Sequence, residues 1–431
     1  MYLGWFGVPP SGGSHCLDRL KPGLQTVRSQ CTTIARDRNL TRHYAAVMPK
    51  CYRDSMPQCP IAISHLAMVL LCLCVGCRNV KSLIARADPA ERAPTFEEIQ
   101  KIDVHAHILE ETLPLIEMMQ RNNVSIINVC NRGRDGHLET MHRIARQMYR
   151  KHSDLFPFAS CFDLTRVEEP GYTNEVIAWL DGSFKDGAVM TKIWKEVGME
   201  VRRRDGSFVL PDDPVFDPIY RFLAAHGKPL MAHVADPVDG WLPLNRESPH
   251  YGYFANNPEF HLYGKPGYPS HETLIAARDR ILQQHPSLVV IGAHFGSLEH
   301  DLDEVALRLD RYPNFIVDCA ARTRDLTRQP REKVRRFFIK YQDRILYGVD
   351  STWKPFRETI PPTEQQRTAF INGLEKKYRT DYTYYAGTGS TQYDGRTVEG
   401  LALPRNVLEK FYNRNARRII LEPARSRVEE R

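Results

Sequence analysis

From Thr95 onward, short apolar runs rich in β-branched residues alternate with helical patterns of roughly 10–18 residues. This alternation predicts strands that pair in parallel, because each intervening helix returns the chain in the same direction. The predicted strands are residues 101–105, 124–129, 156–160, 188–193, 229–233, 288–293, 315–318 and 345–348. The predicted helices lie near residues 111–122, 136–151, 172–181, 214–226, 271–285, 298–311, 327–341 and 404–419.

Eight strand–helix units in a body of about 330 residues predict an α/β fold of the (β/α)8 TIM barrel type. An open doubly wound sheet is the alternative architecture. The Gly-x-Gly-x-x-Gly turn typical of such sheets does not follow the first strand candidate. The barrel is therefore the favoured fold.

The first predicted strand carries two histidines separated by one residue, His105 and His107. Residues i and i+2 of a strand lie on the same face, so the two imidazoles are predicted to project together. Two imidazoles in this position can bind one metal ion, at about 2.0–2.1 Å for each Zn–N bond. A single pair of this kind also occurs on surfaces and in cores. Whether it indicates a metal site therefore depends on the residues at the other strand ends.

Polar side chains stand at most of the other predicted strand ends, where a barrel places its catalytic groups. Each one has an ordinary explanation, such as a core histidine with a hydrogen bond or an aspartate that caps a turn. Their joint occurrence predicts a metal site. The polar residues at the strand ends after the first strand are Lys192, His233, His294, Asp318, Arg322 and Asp350.

The basic net charge of +7 belongs to the N-terminal region alone. Of the 59 Lys and Arg and the 52 Asp and Glu residues, 12 and 5 precede Ala93, which leaves 47 of each sign in the body. The body therefore gives no charge argument for binding nucleic acid. Three of the ten cysteines lie in the body, each in or beside an apolar run. They are too few and too isolated for a disulfide framework, and buried free thiols are expected.

We predict two regions, an N-terminal extension over residues 1–92 and a barrel over 93–425. Residues 60–77 of the extension are apolar, end in Val75-Gly76-Cys77 and follow two basic residues, like a signal segment. They resemble a bacterial lipoprotein signal, with Cys77 as the lipidated residue and Cys74 where leucine is usual. Because a signal needs a true N-terminus, translation from Met48 or Met56 is expected. Export to the cell envelope or periplasm is the favoured localisation, and a cytoplasmic protein with a disordered extension is the alternative.

Four motifs resemble the amidohydrolase superfamily, specifically its amidohydrolase-2 branch, which includes decarboxylases of the aminocarboxymuconate semialdehyde type. They are Asp103-Val104-His105-Ala106-His107, Ala232-His233-Val234-Ala235-Asp236-Pro237, Gly292-Ala293-His294-Phe295-Gly296 and Tyr347-Gly348-Val349-Asp350. The likeness covers roughly residues 98–420. It implies a metal-dependent barrel enzyme that is a hydrolase or a decarboxylase.

The resemblance also implies roles for the residues at the strand ends. His105, His107, His233 and Asp350 would bind one divalent metal ion, for which Zn²⁺ is expected. His294 would be a catalytic histidine or a ligand of a second metal. Lys192 admits two roles, since a carboxylated lysine at this strand end bridges two metals in some members, whereas an ammonium would bind a substrate carboxylate. We favour one metal.

Three functions fit these residues. In the first, a metal-activated water hydrolyses a small-molecule amide, ester or lactone, with Asp350 as the proton acceptor and His294 bound to the oxyanion or the water. In the second, the same site removes carbon dioxide without oxidation from a carboxylated substrate, for which an aromatic acid is one candidate. The third is a metal-binding barrel without turnover. Hydrolysis is favoured, because a signal segment suits an envelope hydrolase.

Substrate recognition is assigned to Lys192, Arg322 and Trp353 and to a long loop over residues 234–270. This loop is rich in aromatic residues, and loops of this length in compact domains are usually functional. Arg322 can pair with a carboxylate through two parallel hydrogen bonds. The expected partner is a small molecule, with a second copy of the chain as a further candidate and a membrane only through a lipid anchor.

Overall fold

The computed structural model describes residues 93–133 and 136–422, and all eight predicted strands occur in this part of the chain. They form one parallel sheet in sequence order, which confirms the (β/α)8 barrel. The strands are β1 (Lys101–Ile108), β2 (Val124–Val129), β3 (Phe158–Ser160), β4 (Ala188–Ile193), β5 (Leu230–Ala232), β6 (Val290–Gly292), β7 (Phe315–Asp318) and β8 (Ile345–Leu346).

Helices follow the strands and cover the outside of the barrel. The longer ones are α1 (Leu113–Arg121), α2 (Leu138–Lys151), α3 (Tyr172–Lys185), α4 (Asp217–Ala225), α5 (His271–Gln284), α6 (Leu302–Arg311), α7 (Arg331–Lys340) and α8 (Glu364–Ala386). The chain then forms an antiparallel hairpin (Ser390–Tyr393 and Arg396–Glu399) and a last helix, Arg405–Glu409, which continues as π-helical Lys410–Arg414 and Arg417–Leu421.

Backbone hydrogen bonds between the first and last strands close the barrel. Val104 donates its N–H to the Tyr347 carbonyl (N···O 3.0 Å), and Asp350 donates to the His105 carbonyl (2.7 Å). A short strand, β9 (Thr352–Trp353), then pairs in parallel with the end of β1. Residues that follow β8 are therefore direct neighbours of the histidines on β1.

A β-bulge in β1 determines which way its histidines point. The register with β2 shifts between Asp103 and Ala106. Before the bulge, Val104 belongs to an apolar cluster contributed by all eight strands, which is the barrel interior, whereas Asp103 hydrogen-bonds a helix outside the barrel. After the bulge, Ala106 belongs to the outer cluster, so His105 and His107 point inward. Strict alternation would have placed His105 on the outward side with Asp103.

The insertion after β8 contains a 23-residue helix, α8, that the sequence analysis did not predict. It begins at Thr363, whose side chain and backbone form a capping box. Tyr378 of α8 donates a hydrogen bond to the buried carboxylate of Asp103 (2.8 Å), and Asp381 accepts hydrogen bonds from two tyrosine hydroxyls. These buried polar contacts attach the insertion to the outside of β1 and β8.

Two expectations about the rest of the chain have different outcomes. Cys130, Cys161 and Cys319 are buried thiols outside any disulfide, as expected. The signal-like residues 60–77 lie outside the described residues, so that feature and the two-region division stay predictions. In the described part of the chain, no helix combines the length and the apolar character that crossing a membrane requires.

Candidate metal centre

Three imidazoles surround the carboxylate of Asp350 at the C-terminal end of the barrel. The Nε2 atoms of His107, His105 and His294 lie 3.3, 3.7 and 3.8 Å from the nearest Asp350 carboxylate oxygen. The three histidines are buried, whereas the Asp350 side chain is 28% exposed. The carboxylate thus lines an opening to solvent, and its neighbours lie beneath it.

These separations are longer than direct hydrogen bonds, and the shortest, from His107, matches that of two ligands of one metal ion. An N–H···O hydrogen bond measures about 2.7–3.2 Å, and all three Nε2···O separations are longer. Ligand atoms held about 2.0–2.1 Å from one tetrahedral ion are about 3.3 Å apart. The nitrogen-rich donor set is also the type that binds divalent transition metals.

The Nδ1 atom of each of these imidazoles already has a hydrogen-bond acceptor. A carbonyl or an ionised carboxylate can only accept, so Nδ1 carries the hydrogen and the lone pair is on Nε2, which faces Asp350. This is the tautomer that a metal ligand needs. In His105 this Nε2 also accepts from Lys192 Nζ (3.1 Å). The Nδ1 contacts are His107 to Val129 O (2.6 Å), His294 to Ala320 O (2.7 Å) and His105 to Asp318 Oδ2 (3.0 Å).

Asp318, at the end of β7, organises two of these histidines. One carboxylate oxygen accepts from His105 Nδ1, and the other accepts the backbone N–H groups of His294 (2.8 Å) and Ala320 (3.0 Å). Burial alone would raise the pKa of Asp318, but His105 and the neighbouring charges lower it to about 2. The sequence analysis identified Asp318 as a strand-end residue and assigned it no role.

The backbone adopts rare conformations where two of these residues are placed. His294 and Asp350 have φ values of 60° and 57°, in the left-handed region. Such conformations cost about 1–3 kcal/mol each for residues with a Cβ, and they persist where the surrounding structure enforces them, often at functional sites. Here the His294 and Asp350 N–H groups are held by Asp318 and by the His105 carbonyl, respectively.

His233 lies further from Asp350 than the three histidines described above. Its ring packs against His294 (centroids 4.4 Å apart), and its Nε2 lies 3.7 Å from Asp236. Among the described residues, this buried Nε2 has no hydrogen-bond partner, and no contact within 4 Å joins it to Asp350. Asp236 is held in turn by Lys195 (2.5 Å), a buried lysine that the sequence analysis did not select. An unpartnered buried nitrogen remains compatible with the predicted ligand role.

Burial sets the protonation of the site. It lowers the pKa of His107 to about 3 and those of His233 and His294 well below their usual value. Burial alone would raise the pKa of Asp350, but His105 and the other imidazoles lower it well below its usual range. Neutral imidazoles beside an ionised carboxylate are the protonation states in which these groups bind a metal.

The three predicted substrate-binding residues have different surroundings. Lys192 lies inside the site, with Nζ 3.1 Å from His105 Nε2, and burial lowers its pKa to about 8. Arg322 is buried two residues beyond the carbonyl that orients His294. Trp353 instead donates its indole N–H to Glu110 (2.7 Å) and stacks on Phe370.

A family model described as Amidohydrolase matches residues 102–420. No curated protein matches the chain. Solved structures similar to it include 2,6-dihydroxybenzoate decarboxylase from Rhizobium (15% identity, TM-score 0.43, covering 74% of this chain and 98% of that chain). Others are 5-carboxyvanillate decarboxylase from Novosphingobium aromaticivorans complexed with manganese (13%, 0.42, 76% and 97%) and 4-oxalomesaconate hydratase from Rhodopseudomonas palustris (12%, 0.43, 77% and 98%).

The chain belongs to this amidohydrolase family, and the resemblance to the amidohydrolase-2 branch is confirmed. It is a metal-dependent enzyme with a TIM-barrel fold, and groups of histidine and aspartate side chains suited to a divalent metal ion stand at the strand ends.

Proposed function

We propose that the protein hydrolyses a small-molecule amide, ester or lactone with one divalent metal ion bound by His105, His107, His233 and Asp350. The observation that carries this proposal is the placement of His107 and His105 Nε2 at 3.3 and 3.7 Å from the Asp350 carboxylate. His233 Nε2, buried without a hydrogen-bond partner among the described residues, is the third proposed nitrogen ligand. Zn²⁺ is the proposed ion, because nitrogen-rich sites with one carboxylate suit it. When bound, such an ion supplies a Lewis acid and lowers the pKa of a water from 15.7 toward about 7.

Asp350 is the proposed proton acceptor. Its carboxylate is partly exposed, whereas His105, His107 and His294 beside it are buried. A water molecule from solvent can therefore reach the carboxylate. From this position it can take a proton from water and deliver it to the leaving group. Partial exposure of this carboxylate supports hydrolysis, since water has to enter at each turnover.

His294 is the proposed second catalytic residue. Because its Nδ1–H donates to the Ala320 carbonyl, the neutral ring presents Nε2 as a hydrogen-bond acceptor. It can therefore orient a water by accepting its O–H, whereas donating to an oxyanion would require a protonated ring. Of the two catalytic roles expected for His294, orienting the water is better supported than binding the oxyanion.

Decarboxylation is the second candidate, and two cations in the site favour it. Lys192 contacts His105 Nε2, the same lone pair that a metal ion would occupy, so the ammonium gives up this contact when His105 binds the metal. Lys192 and Arg322 then become available to a substrate carboxylate. A carboxylated Lys192 would instead hold a second metal. We propose the state with one metal, in which Lys192 keeps its ammonium group.

The experiment is a screen of amides, esters, lactones and aromatic carboxylates with Zn²⁺-loaded protein in ¹⁸O-labelled water. Hydrolysis predicts ¹⁸O in the product carboxylate and no release of carbon dioxide. Release of carbon dioxide without ¹⁸O incorporation would replace hydrolysis by the second candidate. His105→Ala is expected to lower metal content and turnover together, and His226→Ala, at a half-buried histidine that follows α4, is the matched control. If His105→Ala keeps both, the assigned centre is wrong.

A further inference from the structure

A second group of buried charged residues lies next to the metal centre. Three successive strand–helix loops contribute to it, with His250 after β5, Glu299 after β6, and Arg322 and Asp325 after β7. We call these four residues the Arg322 cluster. Arg322 Nε lies 3.1 Å from Glu299 Oε1, and His250 Nε2 lies 2.8 Å from Asp325 Oδ1. All four side chains are buried, and Glu299 is only 1% exposed.

The geometry of the Arg322 cluster differs from that of a metal site. The His250–Asp325 separation of 2.8 Å is a hydrogen-bond distance, unlike the longer separations around Asp350. A guanidinium also supplies positive charge at Glu299, where a bound metal would have to compete with it. The cluster is therefore an ion-pair network that includes an arginine.

The hydrogen bonding of this network is incomplete. Among the described residues, both Glu299 oxygens, Asp325 Oδ2 and Arg322 Nε have no partner with hydrogen-bond geometry, although Arg322 and Glu299 form an ion pair. Buried polar groups that lack hydrogen bonds cost stability, and a half-satisfied network is less stable than apolar packing. Stability alone does not explain these residues, which points to a role in the adjacent site.

Arg322 is placed so that it can act on a molecule in that site. The Ala320 carbonyl, two residues earlier, accepts the hydrogen bond from His294 Nδ1. Burial alone would lower the pKa of Arg322, but the carboxylates of Glu299, Asp325 and then Asp350 raise it. The guanidinium thus lies within electrostatic reach of the centre and stays charged.

We propose that Arg322 recognises a carboxylate on the substrate of the metal-dependent reaction and that Glu299 is the positioning residue for its guanidinium. This inference rests on the proposed function for the location of the reaction. A planar guanidinium can bind a carboxylate through two parallel hydrogen bonds, which an ammonium cannot reproduce. Glu299 forms an ion pair with Arg322 at Nε (3.1 Å), and this attraction restrains the position of the guanidinium.

The test compares benzoate with its neutral isostere benzamide as probes for the full chain loaded with Zn²⁺, by calorimetric titration. An aromatic probe is chosen because Trp194 packs near His233 (ring centroids 6.3 Å apart) and on Phe260. The wild type is expected to prefer benzoate. Arg322→Gln is expected to reduce that preference by roughly 10–100-fold, the usual worth of hydrogen bonds to a charged group. Arg322→Lys should restore only part of it.

Glu299→Gln tests the positioning role. It should lower the benzoate preference several-fold while metal content stays at the wild-type level, and Glu299→Asp should recover part of the loss. Arg324→Gln is the matched control, because Arg324 lies two residues away and donates to the Pro249 carbonyl instead. Its preference should equal that of the wild type.

The outcomes separate this inference from the proposed function. An undiminished benzoate preference in Arg322→Gln would mean that the metal alone binds the carboxylate, and the inference would be wrong. Failure of the wild type to bind benzoate, or an unchanged Glu299→Gln, would also overturn the assigned roles. Because binding is measured without turnover, a protein that binds benzoate through Arg322 but hydrolyses nothing would contradict only the proposed function.

Discussion

At the scale of single residues, the site depends on which imidazoles reach the metal. The predicted ligand His233 and the predicted catalytic residue His294 are adjacent, and the structure brings His294 closer to Asp350. His233 Nε2 is buried without a hydrogen bond among the described residues. Their two roles can be separated by experiment, since a ligand and a catalytic residue affect different quantities.

The first prediction concerns this pair. His233→Ala is expected to lower the bound metal well below one ion per chain, because it removes a ligand. His294→Ala is expected to keep the metal and lose at least about tenfold in turnover, as for a catalytic group that contacts reacting atoms. Elemental analysis and initial rates measure the two effects. The opposite pattern would exchange the two assignments.

The second prediction concerns Asp318. Asp318→Asn retains the shape of the side chain but weakens the acceptor that fixes His105. Loss of such an orienting partner typically lowers metal affinity by about 10–100-fold. A competition titration with a chelator measures it. Asp301→Asn, at an exposed helix N-terminus, is the control and should bind metal like the wild type.

At the scale of secondary-structure elements, the bulge in β1 and the helix α8 act together. The bulge turns His105 inward while Asp103 remains outside, where Tyr378 of α8 donates to its buried carboxylate. The inserted helix therefore stabilises the strand that carries the histidine pair. Neither the bulge nor the partner of Asp103 was predicted from the sequence.

The third prediction tests this attachment. Tyr378→Phe removes the hydroxyl and leaves a buried oxygen of Asp103 without that donor, which should lower the free energy of unfolding by about 1–3 kcal/mol. Denaturant unfolding measures the loss. Tyr263→Phe is the control, since Tyr263 is an exposed tyrosine and its variant should unfold like the wild type. Equal stability of the two variants would argue against the attachment.

At the scale of the whole molecule, the proposed centre joins residues from the first, fifth, sixth and eighth strands. A ligand that binds only the folded state stabilises that state, and these distant groups come together only after folding.

The fourth prediction is that chelation lowers the midpoint of thermal unfolding of the wild type. Asp350→Asn should show a smaller decrease, because it binds metal more weakly beforehand. An equal decrease in both would mean that the metal binds elsewhere.

The fifth prediction concerns the N-terminal region, whose proposed function is export as a lipoprotein. If residues 60–77 act as a lipoprotein signal, the mature chain begins at a lipidated Cys77, and mass spectrometry of the membrane fraction should find that modification. Cys77→Ser should abolish it, whereas Cys74→Ser should not. An unmodified full-length chain in the cytoplasm would support the alternative localisation.

The sequence by itself determined the barrel and most of its strand ends. Parallel strands buried on both faces appear as continuous apolar runs, and polar residues at their ends, such as Lys192 and His294, interrupt these runs visibly. For this reason all eight strands and the candidate residues were predictable, and the family match confirms the fold and the class of enzyme. Helix α8 was missed because its mixed polar and aromatic residues show little helical periodicity.

Only the tertiary structure decided how these residues meet. The inward direction of His105 depends on a bulge, and a bulge is a mismatch between two strands that neither strand reveals alone. The tautomers of the histidines depend on acceptors from distant residues, such as Val129 and Asp318. The pairing of Arg322 with Glu299 likewise joins two loops. Contacts between segments far apart in the chain leave no local pattern, and folding alone brings them together.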